Sequence, residues 1–175
     1  MNKTSVILVV LSSAVLLGLT GFAQQTSTPT PSDTPEMLRS FVPVTDEMLL
    51  NPKPENWISF RNGYKLWGYS SLNQIHSGNV GELRLVWSRA MQAGYQEVEP
   101  IVYNGVMFLA NVEDIVQALD AETGDLLWEY RRNVPDNPAA VTGTRYRYRN
   151  VSIYDDKIFL ATNDAFLVAL DAKTG

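Results

Sequence analysis

The sequence predicts an all-β fold of the β-propeller kind, with about one and a half blades present, on three observations. From Trp57 onward, short apolar runs rich in branched and aromatic residues alternate with turn signals, and no stretch sustains a helical period. Tyr103–Gly124 aligns without a gap on Tyr154–Gly175 at an offset of 51 residues, with ten of the twenty-two pairs identical. A fixed period near 50 residues marks propeller blades or similar arrays. The repeat also ends in a glycine turn followed by Trp128, a ring that one four-stranded sheet cannot bury without a neighbour.

Taken in order, Met1–Ala23 reads as a cleaved secretory signal peptide. It has a short basic start at Lys3, an apolar run from Val6 to Leu19 and the small residues of Gly21-Phe22-Ala23 at its close. The run is short for a bilayer span, which needs about 20 residues. A lipid anchor on cysteine is excluded, since there is no cysteine. Such a leader implies a protein that works outside the cytoplasm, with the periplasm as the expected location. Residues 24–43 are expected to form a disordered linker, because Gln24–Pro35 has no aliphatic or aromatic side chain and three prolines. Thr45-Asp46-Glu47 predicts the start of a short helix that Asn51-Pro52-Lys53-Pro54 ends.

Strands are expected at Leu83–Trp87, Val106–Leu109, Ile115–Leu119, Leu126–Tyr130, Val151–Tyr154, Ile158–Leu160 and Phe166–Leu170. The turn signals between them are Asn104-Gly105, Thr123-Gly124, Asp155-Asp156 and Asn163-Asp164. In Ala118-Leu119-Asp120-Ala121-Glu122-Thr123-Gly124, Asp120 can accept hydrogen bonds from the turn amides, and Gly124 can supply a positive φ. The second copy breaks off at Gly175, inside this turn, so the 44–175 segment is expected to be the truncated N-terminal part of a propeller in a longer chain.

Composition narrows the chemistry. The chain has 175 residues, 14 Lys and Arg against 19 Asp and Glu, no cysteine and one histidine. These counts exclude disulfide frameworks, thiol catalysis, iron–sulfur ligation and a multi-histidine metal site. A net charge of −5, or −6 once Lys3 is removed with the leader, argues against a nucleic-acid partner. His76, in Gln74-Ile75-His76-Ser77-Gly78-Asn79, reads as a surface-loop residue, and Trp57, Trp67 and Trp87 as packing residues.

Ala-x-Asp-x-x-Thr-Gly-x-x-x-Trp, complete at Ala118–Trp128, resembles the tryptophan-docking motif of quinoprotein dehydrogenases, eight-bladed propellers that bind pyrroloquinoline quinone (PQQ). Asn56-Trp57, Trp67-Gly68-Tyr69-Ser70, Leu72-Asn73-Gln74-Ile75, Asn79-Val80-Gly81 and Leu85-Val86-Trp87 are similar to the N-terminal signature of PQQ-dependent alcohol dehydrogenases. The resemblance implies an enzyme that oxidises a small alcohol by hydride transfer to PQQ. A calcium or lanthanide ion would act as Lewis acid, and cytochrome c or a membrane quinone would take the electrons. It places the metal ligands and the catalytic base beyond Gly175, so no catalytic or metal residue is assigned, and the fragment alone is expected to be inactive.

The resemblance carries two cofactor contacts onto this chain. In Tyr95-Gln96-Glu97-Val98-Glu99-Pro100, Glu97 takes the place of a glutamate that bonds the quinone, with Glu99 left as the competing acid. By itself Glu97 reads as a solvated rim carboxylate. The second contact is Arg149, whose guanidinium suits a planar tricarboxylate quinone. Arg145, Arg147 and Arg149 alternate, so in a strand they would share one face. Gly143 and Thr144 occupy the cofactor-binding positions where many members carry adjacent cysteines, a departure from the family pattern. The competing reading is a non-catalytic propeller of the same repeat, serving as an outer-membrane assembly or binding scaffold. A propeller lectin is a third.

Overall fold

The computed structural model describes residues 34–132, 147–148 and 150–175, with Arg147 and Tyr148 as backbone. The signal-peptide expectation and most of the linker lie outside these residues. The linker ends earlier than residue 43, however. Glu36–Arg39 forms a helical turn, α1, and Leu38 and Phe41 are buried in the core. Two apolar side chains three positions apart are enough to dock the segment, and Phe41 meets Tyr103 edge-on at 5.3 Å between ring centroids. Asp46–Leu50 forms the expected helix, α2. Thr45 caps it by accepting from the Met48 amide at 3.4 Å, and Asn51 closes it.

The first blade is a four-stranded antiparallel sheet in chain order: β2 (Ile101–Tyr103), β3 (Val106–Asn111), β4 (Ile115–Asp120) and β5 (Leu126–Arg131). Asn104 (φ 48°) and Gly105 (φ 78°) turn β2 into β3, the two successive positive φ values that a tight hairpin requires. From Ile115 to Leu119 every residue of β4 is buried, so both faces of the sheet are covered. The second sheet repeats the first: β7 (Ser152–Tyr154), β8 (Lys157–Ala161) and β9 (Leu167–Asp171). One core runs through both, including Phe108, Val116, Ala118, Ile153, Ile158 and Leu160. Isolated bridges from Val44 to Asp155 and from Trp57 to Val102 fasten the N-terminal segment to the blades.

Two tryptophans join successive units in the same way. Trp128 of β5 donates from Nε1 to the Ala172 carbonyl at 3.0 Å and lies on Gly175; Trp87 donates to the Ala121 carbonyl at 3.2 Å and lies on Gly124. Both turns are tied by their aspartate. Asp120 Oδ1 accepts from the Glu122 and Thr123 amides, and Asp171 Oδ1 from those of Lys173 and Thr174.

The strand expected at Leu83–Trp87 does not form. The segment follows a 3-10 turn at Val80–Glu82 and runs without ladder partners, with Leu85 85% and Val86 80% exposed. Its composition favours a strand, but a strand needs a neighbour to accept its backbone hydrogen bonds, and among the described residues none lies beside it. Trp67 likewise does not pack. It is 74% exposed, with the Lys65 ammonium 5.0 Å from its ring centroid. His76 is exposed in its loop, as expected, and accepts from the Gly78 amide through Nδ1.

Candidate functional site at the entry to the blades

The Asn104-Gly105 and Ala121–Gly124 turns lie at one end of the first blade. The segment entering β2 and the β3–β4 turn lie at the other, because Ile101 pairs with Phe108 and Asn111 with Ile115. Of the sequence-predicted site residues, Glu97 lies towards this second end. Tyr95-Gln96, β1, pairs in parallel with Arg147-Tyr148, β6, in the register Tyr95 to Arg147 and Gln96 to Tyr148. The pair sits outside both blades and joins the segment leading to Glu97 to the one preceding Arg149. Arg145, Arg149, Gly143 and Thr144 lie outside the described residues.

Two acids, Glu97 and Glu99, lie at this end. One carboxylate oxygen of Glu99 accepts from Trp57 Nε1 and from the Arg61 amide, both at 2.6 Å, while the Glu99 amide donates to Asn150 Oδ1 at 2.7 Å. Glu99 therefore locks the N-terminal segment and the second sheet onto the entry to β2. Charge-assisted bonds of this length are strong, and they commit the carboxylate to a structural job. Glu97 is exposed at the same edge. Sequence reasoning left these two acids as alternatives for the cofactor contact.

Asn111, the last residue of β3, is 2% exposed. Its Oδ1 accepts from the Gln92 amide at 3.1 Å, Gln96 Nε2 at 2.5 Å and the Val112 amide at 3.0 Å. Gln96 Nε2 also reaches the Gln92 carbonyl at 3.1 Å, while Gln96 Oε1 is buried without a partner among the described residues.

One turn further, Asp114 is fully buried in a left-handed conformation (φ 56°) and accepts from the Asn163 amide of the second sheet at 3.2 Å. Burial pushes its carboxyl up to about 6. The Asn163 amide opposes that shift, the Asp164 charge adds to it, and Arg132 opposes it. Arg132 reaches across the same boundary. It grips Asp164 with Nε and Nη2, at 3.0 and 2.8 Å, and its guanidinium lies 4.6 Å from the Phe166 ring centroid. The Asp164 carboxyl is held low by this pairing and by the Thr162 hydroxyl. Neither Asn111 nor Asp114 was marked by sequence reasoning. The one signal available was that the two turns differ between the repeats, Asn-Val-Glu-Asp against Thr-Asn-Asp-Ala.

Among the described residues no group of three His, Asp or Glu side chains is placed to hold a metal ion, and no helix is long and apolar enough to cross a membrane.

Residues 57–175 match the family described as the PQQ glucose/ethanol/alcohol dehydrogenase β-propeller domain. Over 123 residues the chain is 39% identical to the dehydrogenase subunit of the quinone alcohol dehydrogenase of Gluconobacter oxydans, covering 70% of this chain and 16% of that protein. Among solved structures, quinohemoprotein alcohol dehydrogenase ADHIIG from Pseudomonas putida HK5 superposes with a TM-score of 0.69 at 32% identity, over 77% of this chain and 20% of that one. A europium-containing methanol dehydrogenase superposes with a TM-score of 0.67 at 32% identity, over 75% of this chain and 24% of that one. The chain thus spans about a sixth of the length of the Gluconobacter relative. With more than half of its residues inside the family match, and with two docked turns and the four-stranded blade that the repeat demands, the chain belongs to the PQQ-dependent alcohol dehydrogenase family of β-propellers.

Proposed function

We infer that this chain is the N-terminal part of a periplasmic PQQ-dependent dehydrogenase that oxidises small alcohols, exported by a cleaved leader at residues 1–23. In this reading Glu97 and Arg149 contact the quinone, and Gly143 and Thr144 lie beside it. The observation that carries the reading is the parallel pairing of β1 with β6, which leads Glu97 and the residue before Arg149 to one edge of the blades while Glu99 is committed elsewhere.

The residues assigned to the site in this reading fit PQQ in chemical kind. A carboxylate and the buried Gln96 Oε1 are acceptors for a ring N–H, and a guanidinium is a donor for quinone and carboxylate oxygens. When bound, PQQ supplies the o-quinone that accepts a hydride from the alcohol carbon, with a calcium or lanthanide ion as Lewis acid and cytochrome c or a membrane quinone as the final acceptor. The work of this chain's residues is to bind and orient. Glu97 fixes one edge of the ligand by accepting a hydrogen bond, and Arg149 neutralises and aligns its oxygens. A scaffold propeller has no use for either residue, which is why the dehydrogenase reading is preferred.

The complete protein, freed of cofactor and titrated with PQQ in calcium buffer, is expected to bind the quinone and then to oxidise alcohols with an artificial dye. Glu97→Ala removes a charge-assisted hydrogen bond, worth about 1.5–3 kcal/mol, and is expected to raise the PQQ Kd by about 10- to 100-fold with little change in Tm. Failure of the wild-type protein to take up PQQ would overturn the dehydrogenase reading. An unchanged Kd in Glu97→Ala would remove Glu97 from the site.

A further inference from the structure

We propose that Asn111 is a positioning residue for the cofactor contact at Glu97, a role that rests on the reading of Glu97 given above. Residues 91–94 have no ladder of their own, and β1 is two residues long. The approach to Glu97 therefore has little regular structure to hold it. One buried side chain takes over that task. Asn111 Oδ1 binds the main chain at Gln92 and the side chain at Gln96, and its Nδ2 meets Met91 Sδ at 3.8 Å. It thereby grips the segment at both ends, the second immediately before Glu97. An amide oxygen has two lone pairs, and here three N–H groups converge on it, so its acceptor capacity is used in full.

The blade itself does not require this amide. At the matching position of the second repeat stands Thr162, which closes its turn locally: its hydroxyl accepts from the Phe166 amide at 3.0 Å. The same hydroxyl donates to Asp164 Oδ1 and lies 3.2 Å from the Phe166 carbonyl, both within this turn. The same fold element thus folds with threonine, and the asparagine of the first blade is explained by the loop it holds. A neutral acceptor also adds no second negative charge beside Glu97, where an anionic quinone must approach.

The test uses the complete, cofactor-free protein and PQQ itself in calcium buffer, with three variants. Asn111→Thr, which copies the second blade, is expected to raise the PQQ Kd about tenfold, the effect of losing one to two hydrogen bonds. Its Tm should stay within a few degrees of wild type. Amide hydrogen exchange should accelerate at residues 92–96 before any ligand is added. Asn111→Asp keeps the acceptor and is expected to restore protection at 92–96, even where its charge weakens PQQ. Glu97→Ala is the control. If it raises the Kd while Asn111→Thr leaves both Kd and exchange unchanged, the positioning role is overturned. A Kd rise in Asn111→Thr without faster exchange at 92–96, or with a large fall in Tm, overturns it too. If Glu97→Ala leaves the Kd unchanged, the reading of Glu97 fails and the role of Asn111 falls with it.

Discussion

Replacing Trp128 by alanine is expected to cost about 3–5 kcal/mol of stability, the range for deleting a buried tryptophan. The ring is 8% exposed, stands 5.9 Å from the Phe108 centroid and carries the hydrogen bond to the Ala172 carbonyl. Its loss opens a cavity between two blades and leaves that carbonyl unpaired. A companion change reaches the same joint from the other side. Gly124 has φ 78°, and a Cβ there would lie 2.6 Å from Trp87 Cδ2. Gly124→Ala therefore combines backbone strain of about 1–2 kcal/mol with expulsion of the ring that docks on the turn. Urea unfolding of the complete protein, followed by tryptophan fluorescence, reads both. A loss below about 1 kcal/mol for either variant would mean that these rings do not carry the contact between blades.

The docking turns were legible in the sequence because their causes are local. Asp120 bonds amides two and three residues on, Gly124 takes a conformation that its lack of Cβ permits, and the spacing to Trp128 repeats the rise of one strand. The second copy, from Ala169 to Gly175, turned a local pattern into an architecture. What stayed hidden depends on distant partners. Leu83–Trp87 has the composition of a strand, yet ladder formation is decided by a neighbour that its own residues cannot reveal. The β1–β6 pair is two residues long on each side and joins segments far apart in sequence, so neither half carries a periodic signal. The choice between Glu97 and Glu99 was undecidable from spacing alone. Trp57 and the Arg61 amide, distant in sequence, bind Glu99, and no pattern within Tyr95–Pro100 announces that contact. Leu38 and Phe41 were absorbed into a linker because two apolar residues in a polar, proline-rich stretch give too little pattern to mark a docked turn.

Asp114 makes the stability of the joint between the blades depend on pH, in a direction opposite to that of most carboxylates. The folded carboxyl titrates at about 6, above the ordinary 3.8 of a solvated aspartate. Below pH 3.8 it is protonated in the folded and unfolded states alike and contributes no difference. As pH rises from there, the unfolded carboxyl releases its proton first and the folded one keeps it, so the unfolded state gains relative free energy advantage until the folded group also ionises near pH 6. Above that point the full cost of holding a buried charge is present, up to about 3 kcal/mol for a shift of this size. The charges facing it do not remove the cost. Arg132 is paired with Asp164, whose own charge raises the Asp114 carboxyl further, and the Asn163 amide supplies one neutral hydrogen bond. Asp114→Asn keeps an oxygen for that amide and cannot ionise. The variant is expected to gain up to about 3 kcal/mol over wild type at pH 7.5 and to show little or no gain at pH 3.5. Urea unfolding of both proteins across this range isolates the effect as a difference, because every other titrating group is common to the two. A gap between the curves that does not widen from pH 4 to pH 6.5 would show that Asp114 holds no charge against its burial. A widening gap would identify the boundary of the two turns as the place where the first two blades are held at a standing electrostatic cost.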